Sequence, residues 1–217
     1  MNLYFAPLAC SLATRIALYE AGADARFTCV DTRAKRVEDG SDFFAVTAMG
    51  QVPALRTDEG FVLTENTAVL QYVADRCPEA GLAPPPGPHR ARLQQWLGFI
   101  GTELHKALFV PLLDPKAPAD AKTYARDKAA LRLGILQEHL SKHEFLLERF
   151  TVADAYLTTV LNWAQFSGVD LAAWPAARDY YQRMLKRPTI AKALGEEFAI
   201  YREQQAQRAA TKAAATA

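Results

Sequence analysis

Gly50-Gln51-Val52-Pro53-Ala54-Leu55, then Asp58-Glu59-Gly60, then Phe61-Val62-Leu63-Thr64-Glu65-Asn66 is the stretch around which the chain reads. Two short apolar runs joined by a turn that contains Gly60 predict a hairpin. Pro53 stands at the entrance to the first run and cannot donate to a sheet ladder, so Val52 keeps a free N–H and C=O where the strand begins. Thr64-Glu65-Asn66 then opens an apolar-periodic helix through Ala68, Val69, Tyr72 and Val73. The first N–H groups of a helix are unpaired and carry partial positive charge, which attracts anions. One short segment therefore offers an open strand edge, a carboxylate for an amine, and a helix start for a carboxylate. Those groups suit a short peptide held by its backbone and its charged end.

Around this segment the chain has 217 residues, enough for one domain or two small ones. A chain of this size buries roughly 70% of its unfolded surface. Half of the residues are hydrophobic and the net charge is +1, which argues against disorder and against a surface built for nucleic acid phosphates. Met1–Pro7 lacks a basic region followed by an apolar run, so no signal peptide is expected. No apolar run approaches the length of about 18 residues that a membrane span needs. Three cysteines without paired spacing, Cys10, Cys29 and Cys77, fit free thiols in a reducing cytoplasm.

Toward the N-terminus, Leu3-Tyr4-Phe5 predicts a strand with Leu3 and Phe5 on one face and Tyr4 on the other. A helix with Leu12, Ile16, Ala17 and Tyr19 stops at Gly22, and Phe27–Val30 reads as a second, parallel strand. Asp31 to Ser41 reads as loop. Toward the C-terminus, Ala83-Pro84-Pro85-Pro86-Gly87-Pro88 is the clearest linker, and everything beyond it reads helical. Leu93 to Leu108 forms one apolar stripe ending near Pro111. Tyr124, Leu131, Ile135, Leu136 and Leu140 mark a second long helix. Thr151-Val152-Ala153-Asp154 is a capping box that opens a third, and two more follow.

Cys10 lies just before a helix, whose N-terminus would stabilise a thiolate. The position three residues on is Ala13, so no dithiol cycle exists within Cys10-Ser11-Leu12-Ala13, and only an external thiol could pair with Cys10. The bland alternative is a buried, inert cysteine. For Ser11, Glu65 and Asn66 the residues alone favour the reading as helix caps. His139 and His143 are four apart, but no carboxylate completes a metal-binding pattern, and no metal is expected.

Gln-Val-Pro followed by Thr-Glu-Asn, with Cys10, Leu104-His105-Lys106 and Thr151-Val152-Ala153-Asp154-Ala155-Tyr156, resembles the cytosolic glutathione transferases, in particular the bacterial beta class. The match runs to about Tyr201. It implies a thioredoxin-like α/β domain over residues 1–80, an all-α domain over 88–203 that lines a second-substrate pocket, and a helical or frayed tail over 204–217. It also implies a cytoplasmic homodimer with each site between the domains. The reaction would transfer glutathione to a small hydrophobic electrophile or exchange it with disulfides; a non-catalytic glutathione- or ligand-binding protein of the same fold is the alternative.

By the same resemblance, Glu65 takes the amino group of glutathione and Asn66 its γ-glutamyl carboxylate, where the family usually has Ser, Thr or Gly. Val52, between Gln51 and a cis Pro53, pairs with the cysteinyl backbone. Lys35, His105 and Lys106 supply positive charge. Cys10, Ser11 and His105 stand at the reacting sulfur, since Phe5 lacks the hydroxyl that other classes use. Phe109 and Trp163 line the second-substrate pocket, although Trp163 reads as well as a core tryptophan. Gly98 replaces a common Asn or Ser donor. Leu147-Glu148-Arg149 replaces a common Gly-Asp turn, which implies a helix that continues there.

Overall fold

The computed structural model describes residues 1–214. Its first part is a five-stranded sheet in the order β3-β2-β1-β4-β5. The strands are β1 (Asn2–Phe5), β2 (Arg26–Asp31), β3 (Arg36–Val37), β4 (Ala54–Arg56) and β5 (Val62–Thr64), with α1 (Leu12–Glu20) after β1 and α2 (Asn66–Arg76) after β5. Only β1 and β2 run parallel. The hairpin β4–β5 pairs Leu55 with Leu63 across the turn at Gly60, as the two apolar runs predict. Strand alternation also holds: Leu3 and Phe5 enter the main core, whereas Tyr4 packs on the other face with Val30, Val37, Phe43 and Ala54.

The polar stretch read as loop contains β3. Val37 is buried in that second cluster, and this one apolar anchor pairs the segment with Val30 of β2.

The helical part begins with α3 (Pro88–Phe99), which continues without a break through a π-helical segment (Ile100–Phe109) into α4 (Val110–Leu113). Then come α5 (Ala119–Leu140), α6 (Val152–Asn162), α7 (Ala164–Ser167), α8 (Pro175–Met184) and α9 (Pro188–Ala214). The expected tail over 204–217 is helix to Ala214; residues 215–217 lie outside the described residues. On α5 the core face is Ala125, Ala129, Leu133, Leu136 and Leu140, while Tyr124, Leu131 and Ile135 are exposed.

Every residue of α6 is buried. It packs against α1, and α1 also packs against α2 and α9, so one continuous core runs from Leu3 and Leu12 to Leu157 and Ile190. The start of α6 is fixed by Asp154. Its carboxylate accepts from the Thr151 N–H at 2.9 Å, the Thr151 hydroxyl at 3.0 Å, the Leu146 N–H at 3.0 Å and the Tyr180 hydroxyl at 2.9 Å. The bond to Leu146 explains why Leu147–Arg149 do not continue α5: the chain is tied back to α6 and the helix ends at Leu140.

Candidate functional site

A cavity of about 320 Å³ opens between the hairpin and start of α2 on one side and the π-helical segment on the other. It brings together Cys10, Gln51, Val52, Pro53, Glu65, Asn66, His105 and Lys106. Ser11, Lys35, Phe109 and Trp163 are not among its lining residues.

The hairpin wall comes first. The Val52–Pro53 peptide is cis. Among the described residues the Val52 N–H has no partner, while its C=O accepts from the Cys10 thiol at 3.1 Å. Glu65 stands at φ 66°, ψ 119°, in the positive-φ region that non-glycine residues rarely enter. It is held there because its C=O accepts from Ala68 and Val69 as the first turn of α2 closes. Its side chain is exposed and, among the described residues, without hydrogen bond or ion pair. The N–H groups of Asn66 and Thr67 are likewise unspent.

The Asn66 side chain also has a structural task. Its Nδ2 gives one N–H to the Cys10 C=O at 3.1 Å, so the amide ties two parts of the cavity wall together and keeps its second N–H for a ligand. Its Oδ1 is buried without a hydrogen-bond partner among the described residues.

Opposite lie Gly98, near the end of α3, and the π-helical segment, whose wider turn brings Gly101, Thr102, His105 and Lys106 to the cavity. His105 is 9% exposed, and its Nδ1 lies 2.7 Å from the Tyr156 hydroxyl. Its ring meets Trp163 edge-on, centroid to centroid 4.9 Å. Burial, and then Lys106 beside it, push the His105 pKa down to about 4. The imidazole is therefore neutral, which corrects the expectation of a histidine cation. Burial also holds the Tyr156 hydroxyl above the usual tyrosine range. Lys106 is exposed and, among the described residues, free of any ion pair.

Cys10 departs from expectation in the same way. Desolvation pushes its thiol up to about 11, only partly offset by Lys106. The start of α1 does not rescue the thiolate because its N–H groups are taken: Leu12 donates to Ala9 at 3.0 Å and Ala13 to Cys10 at 3.2 Å. Ser11 is fully buried, its hydroxyl 3.2 Å from the Ala6 N–H and 3.3 Å from the Ala6 C=O, so it pins the loop and faces no ligand. Lys35 donates to the Gly50 C=O at 2.8 Å and props the segment before Gln51 from outside the cavity. Phe109 and Trp163 are buried behind His105, in contact with each other; they back the site and do not line it.

Tyr156 and Thr102 line the cavity without having been singled out. His139 and His143 stack at 4.3 Å far from it, and no group of three metal-binding side chains occurs among the described residues.

Two family models match the chain: the glutathione S-transferase N-terminal domain over residues 9–76 and the C-terminal domain over 102–188. Glutathione S-transferase GstA of Escherichia coli O157:H7 is 42% identical over 199 residues, covering 91% of this chain and 98% of that one. Among solved structures, a sphingomonad glutathione S-transferase complexed with glutathione is 43% identical with a TM-score of 0.87, over 91% of this chain and 98% of the other. The bacterial beta-class glutathione S-transferase of Sphingomonas chungbukensis has the same identity, TM-score and coverage. Identity of that order over nearly all of both chains fixes the family as well as the fold: this chain belongs to the glutathione S-transferase family and resembles its bacterial beta class.

Proposed function

We propose that the cavity holds glutathione for transfer to an electrophile, with the peptide lying along the hairpin. The observation that carries this is the set of unspent groups on one wall: the Val52 N–H, the Glu65 carboxylate and the first N–H groups of α2. The α-ammonium of the γ-glutamyl residue pairs with Glu65, and its carboxylate takes the Asn66 and Thr67 N–H groups at the positive end of α2. The cysteinyl backbone adds to the open edge at Val52. Lys106 faces the glycine carboxylate from the opposite wall.

The sulfur of glutathione then lies toward Cys10, His105 and Tyr156. His105 is neutral, so it acts with Tyr156 as a hydrogen-bonding pair for the developing thiolate, and Lys106 supplies the positive field. Cys10 is a neutral thiol that positions the sulfur and exchanges with disulfides as a secondary reaction. The sphingomonad relative, complexed with glutathione, supports the choice of ligand. The division at residues 1–80 and 88–203 and a small hydrophobic electrophile as second substrate belong to the same reading.

Retention on immobilised glutathione, followed by conjugation to an aromatic electrophile, tests the proposal. Retention with turnover is expected. Retention without turnover gives the non-catalytic alternative, and neither refutes both.

The homodimer rests on surface chemistry. Phe44, Met49 and Phe61 are exposed on the sheet part, and Tyr124, Leu131 and Ile135 on α5. A groove of about 980 Å³ runs past Trp96, Phe99 and Ile135. Exposed apolar side chains beside an apolar groove suit an interaction site, and a second copy is the proposed occupant. Among the described residues no helix is long and apolar enough to cross a membrane, and three free cysteines support a reducing cytoplasm.

A further inference from the structure

The loop between β1 and α1 carries Cys10, yet its shape is set from the other half of the molecule. Leu8, two residues before Cys10, has φ 60°, a left-handed conformation that costs a leucine free energy. Its N–H donates to Glu197 Oε2 at 2.7 Å. Its C=O accepts from Trp163 Nε1 at 2.8 Å. Glu197 comes from α9, and Trp163 from the junction of α6 and α7. Both polar groups of one strained residue are therefore held by the helical part.

Glu197 is fully buried, and a carboxylate is kept in such a place only when its oxygens are satisfied. Its second oxygen faces Arg15 Nη1 at 3.4 Å. Arg15 is fixed in turn: its guanidinium lies 4.5 Å from the Phe5 ring centroid and 4.3 Å from that of Phe27, and it also reaches Glu196 at 3.6 Å. The blander account is an ion pair that docks α9 on α1. The distances separate the two roles, since the bond to Leu8 is short and the contact with Arg15 is long for a charge-assisted hydrogen bond. Trp163 adds a second link, because the ring that caps the Leu8 C=O also packs on His105.

We infer that Glu197 and Trp163 are positioning residues: they hold the Leu8 peptide so that the Cys10 thiol faces Val52, and the site is complete only when the helical part is docked. The inference rests on the cavity reading above for its activity readout, and on the loop alone for its thiol readout.

Three variants of the full chain test it. Glu197→Gln keeps an oxygen for the Leu8 N–H, Glu197→Ala removes it, and Trp163→Phe removes only the indole donor. The readouts are the alkylation rate of Cys10 by iodoacetamide, followed by peptide mass spectrometry, and kcat and KM for glutathione in conjugation. Glu197→Ala should raise the alkylation rate about fivefold as the thiol leaves Val52. It should also lower kcat/KM about tenfold through misplacement of the sulfur. Glu197→Gln should stay near wild type in both readouts even where its denaturation midpoint falls, and Trp163→Phe should alkylate faster than wild type. Glu197→Gln behaving like Glu197→Ala overturns the inference, because charge and not the Leu8 bond would then matter. Wild-type rates in Glu197→Ala overturn it too. If Glu197→Ala does not fold, Trp163→Phe decides alone, and a wild-type alkylation rate there refutes the clamp. A wild-type chain without conjugation would refute the cavity reading, while the alkylation series still judges the clamp.

Discussion

Two helix starts face the same cavity, and they differ in what they have left to give. At α2 the N–H groups of Asn66 and Thr67 have no partner among the described residues, and the Glu65 carboxylate beside them is free. At α1 the corresponding groups are consumed by the preceding loop: Leu12 bonds Ala9, Ala13 bonds Cys10, and the Ser11 hydroxyl bonds Ala6. A helix N-terminus attracts an anion through unpaired N–H groups, so a start that folds back on its own loop loses much of that pull. α6 gives a third case: Asp154 takes the N–H of the cap residue Thr151, and the first helical N–H, that of Val152, goes to the Leu82 C=O at 2.9 Å. One helix start is open to an anion, one is closed by its own loop, and one is tied into the core.

The largest expected effect breaks the comparison at α1. With its thiol near 11 against an ordinary 9.0, Cys10 at neutral pH carries about 100-fold less thiolate than a free cysteine. The sign follows directly: a raised thiol pKa leaves the neutral form dominant, so reactivity climbs with pH until about 11. The mixed disulfide with oxidised glutathione should form slowly at neutral pH, faster in alkali, and not at all in Cys10→Ala. Alkylation rates across the alkaline range check this. An inflection below pH 8 would mean that α1 does hold a thiolate, and the contrast with α2 would fail.

At α6 the effect is on stability. Asp154→Ala leaves the buried Leu146 and Thr151 N–H groups and the Tyr180 hydroxyl without their acceptor, a loss of about 4 kcal/mol. Thr151→Ala removes only the cap residue's hydroxyl, a loss of about 1 kcal/mol. Denaturation midpoints of the two variants should rank in that order; equal midpoints would show that Asp154 serves Thr151 alone.

For α2 the test is binding. Glu65→Ala removes the free carboxylate and with it a charge-assisted hydrogen bond of about 1.5–3 kcal/mol, so glutathione affinity should fall about tenfold or more. Calorimetry with unchanged affinity would empty the α2 start of its role.

How far the sequence reveals these differences depends on how local their causes are. The hairpin is legible because Pro53 and Gly60 act on their own neighbours. The α6 cap is legible because Thr151 and Asp154 meet within one turn. β3 escapes notice because one buried residue, Val37, decides it. The neutral state of His105 comes chiefly from burial, and the ring is covered by Tyr156 and Trp163, more than fifty residues away; only the smaller push from Lys106 is local. Tyr156 itself is hidden by its helix: α6 is buried on every side, so no stripe separates a cavity-facing position from a core one. The uses of the Ser11 hydroxyl and of one Asn66 N–H are hidden as well, since residue type shows that a donor exists but not where it is used.

The smallest expected effect sharpens the contrast between the two walls of the cavity. Gly98 sits near the end of α3 on the wall facing the hairpin, and a Cβ added there meets nothing within 4 Å. Gly98→Ser should therefore fit without strain. Replacing glycine inside a helix should raise stability by about 0.5 kcal/mol. If the new hydroxyl reaches bound glutathione, one neutral hydrogen bond of about 1 kcal/mol should tighten binding about fivefold. The competing outcome is local: a serine in a helix can bond the carbonyl four residues back, which would leave the cavity unchanged. Denaturation and calorimetry on the same variant separate the two. Gains in both place the ligand between the walls, with the π-helical side short of a donor. A gain in stability alone means that glutathione is gripped from the hairpin and the start of α2, and that the opposite wall contributes its charge at Lys106 and its neutral pair at His105 and Tyr156.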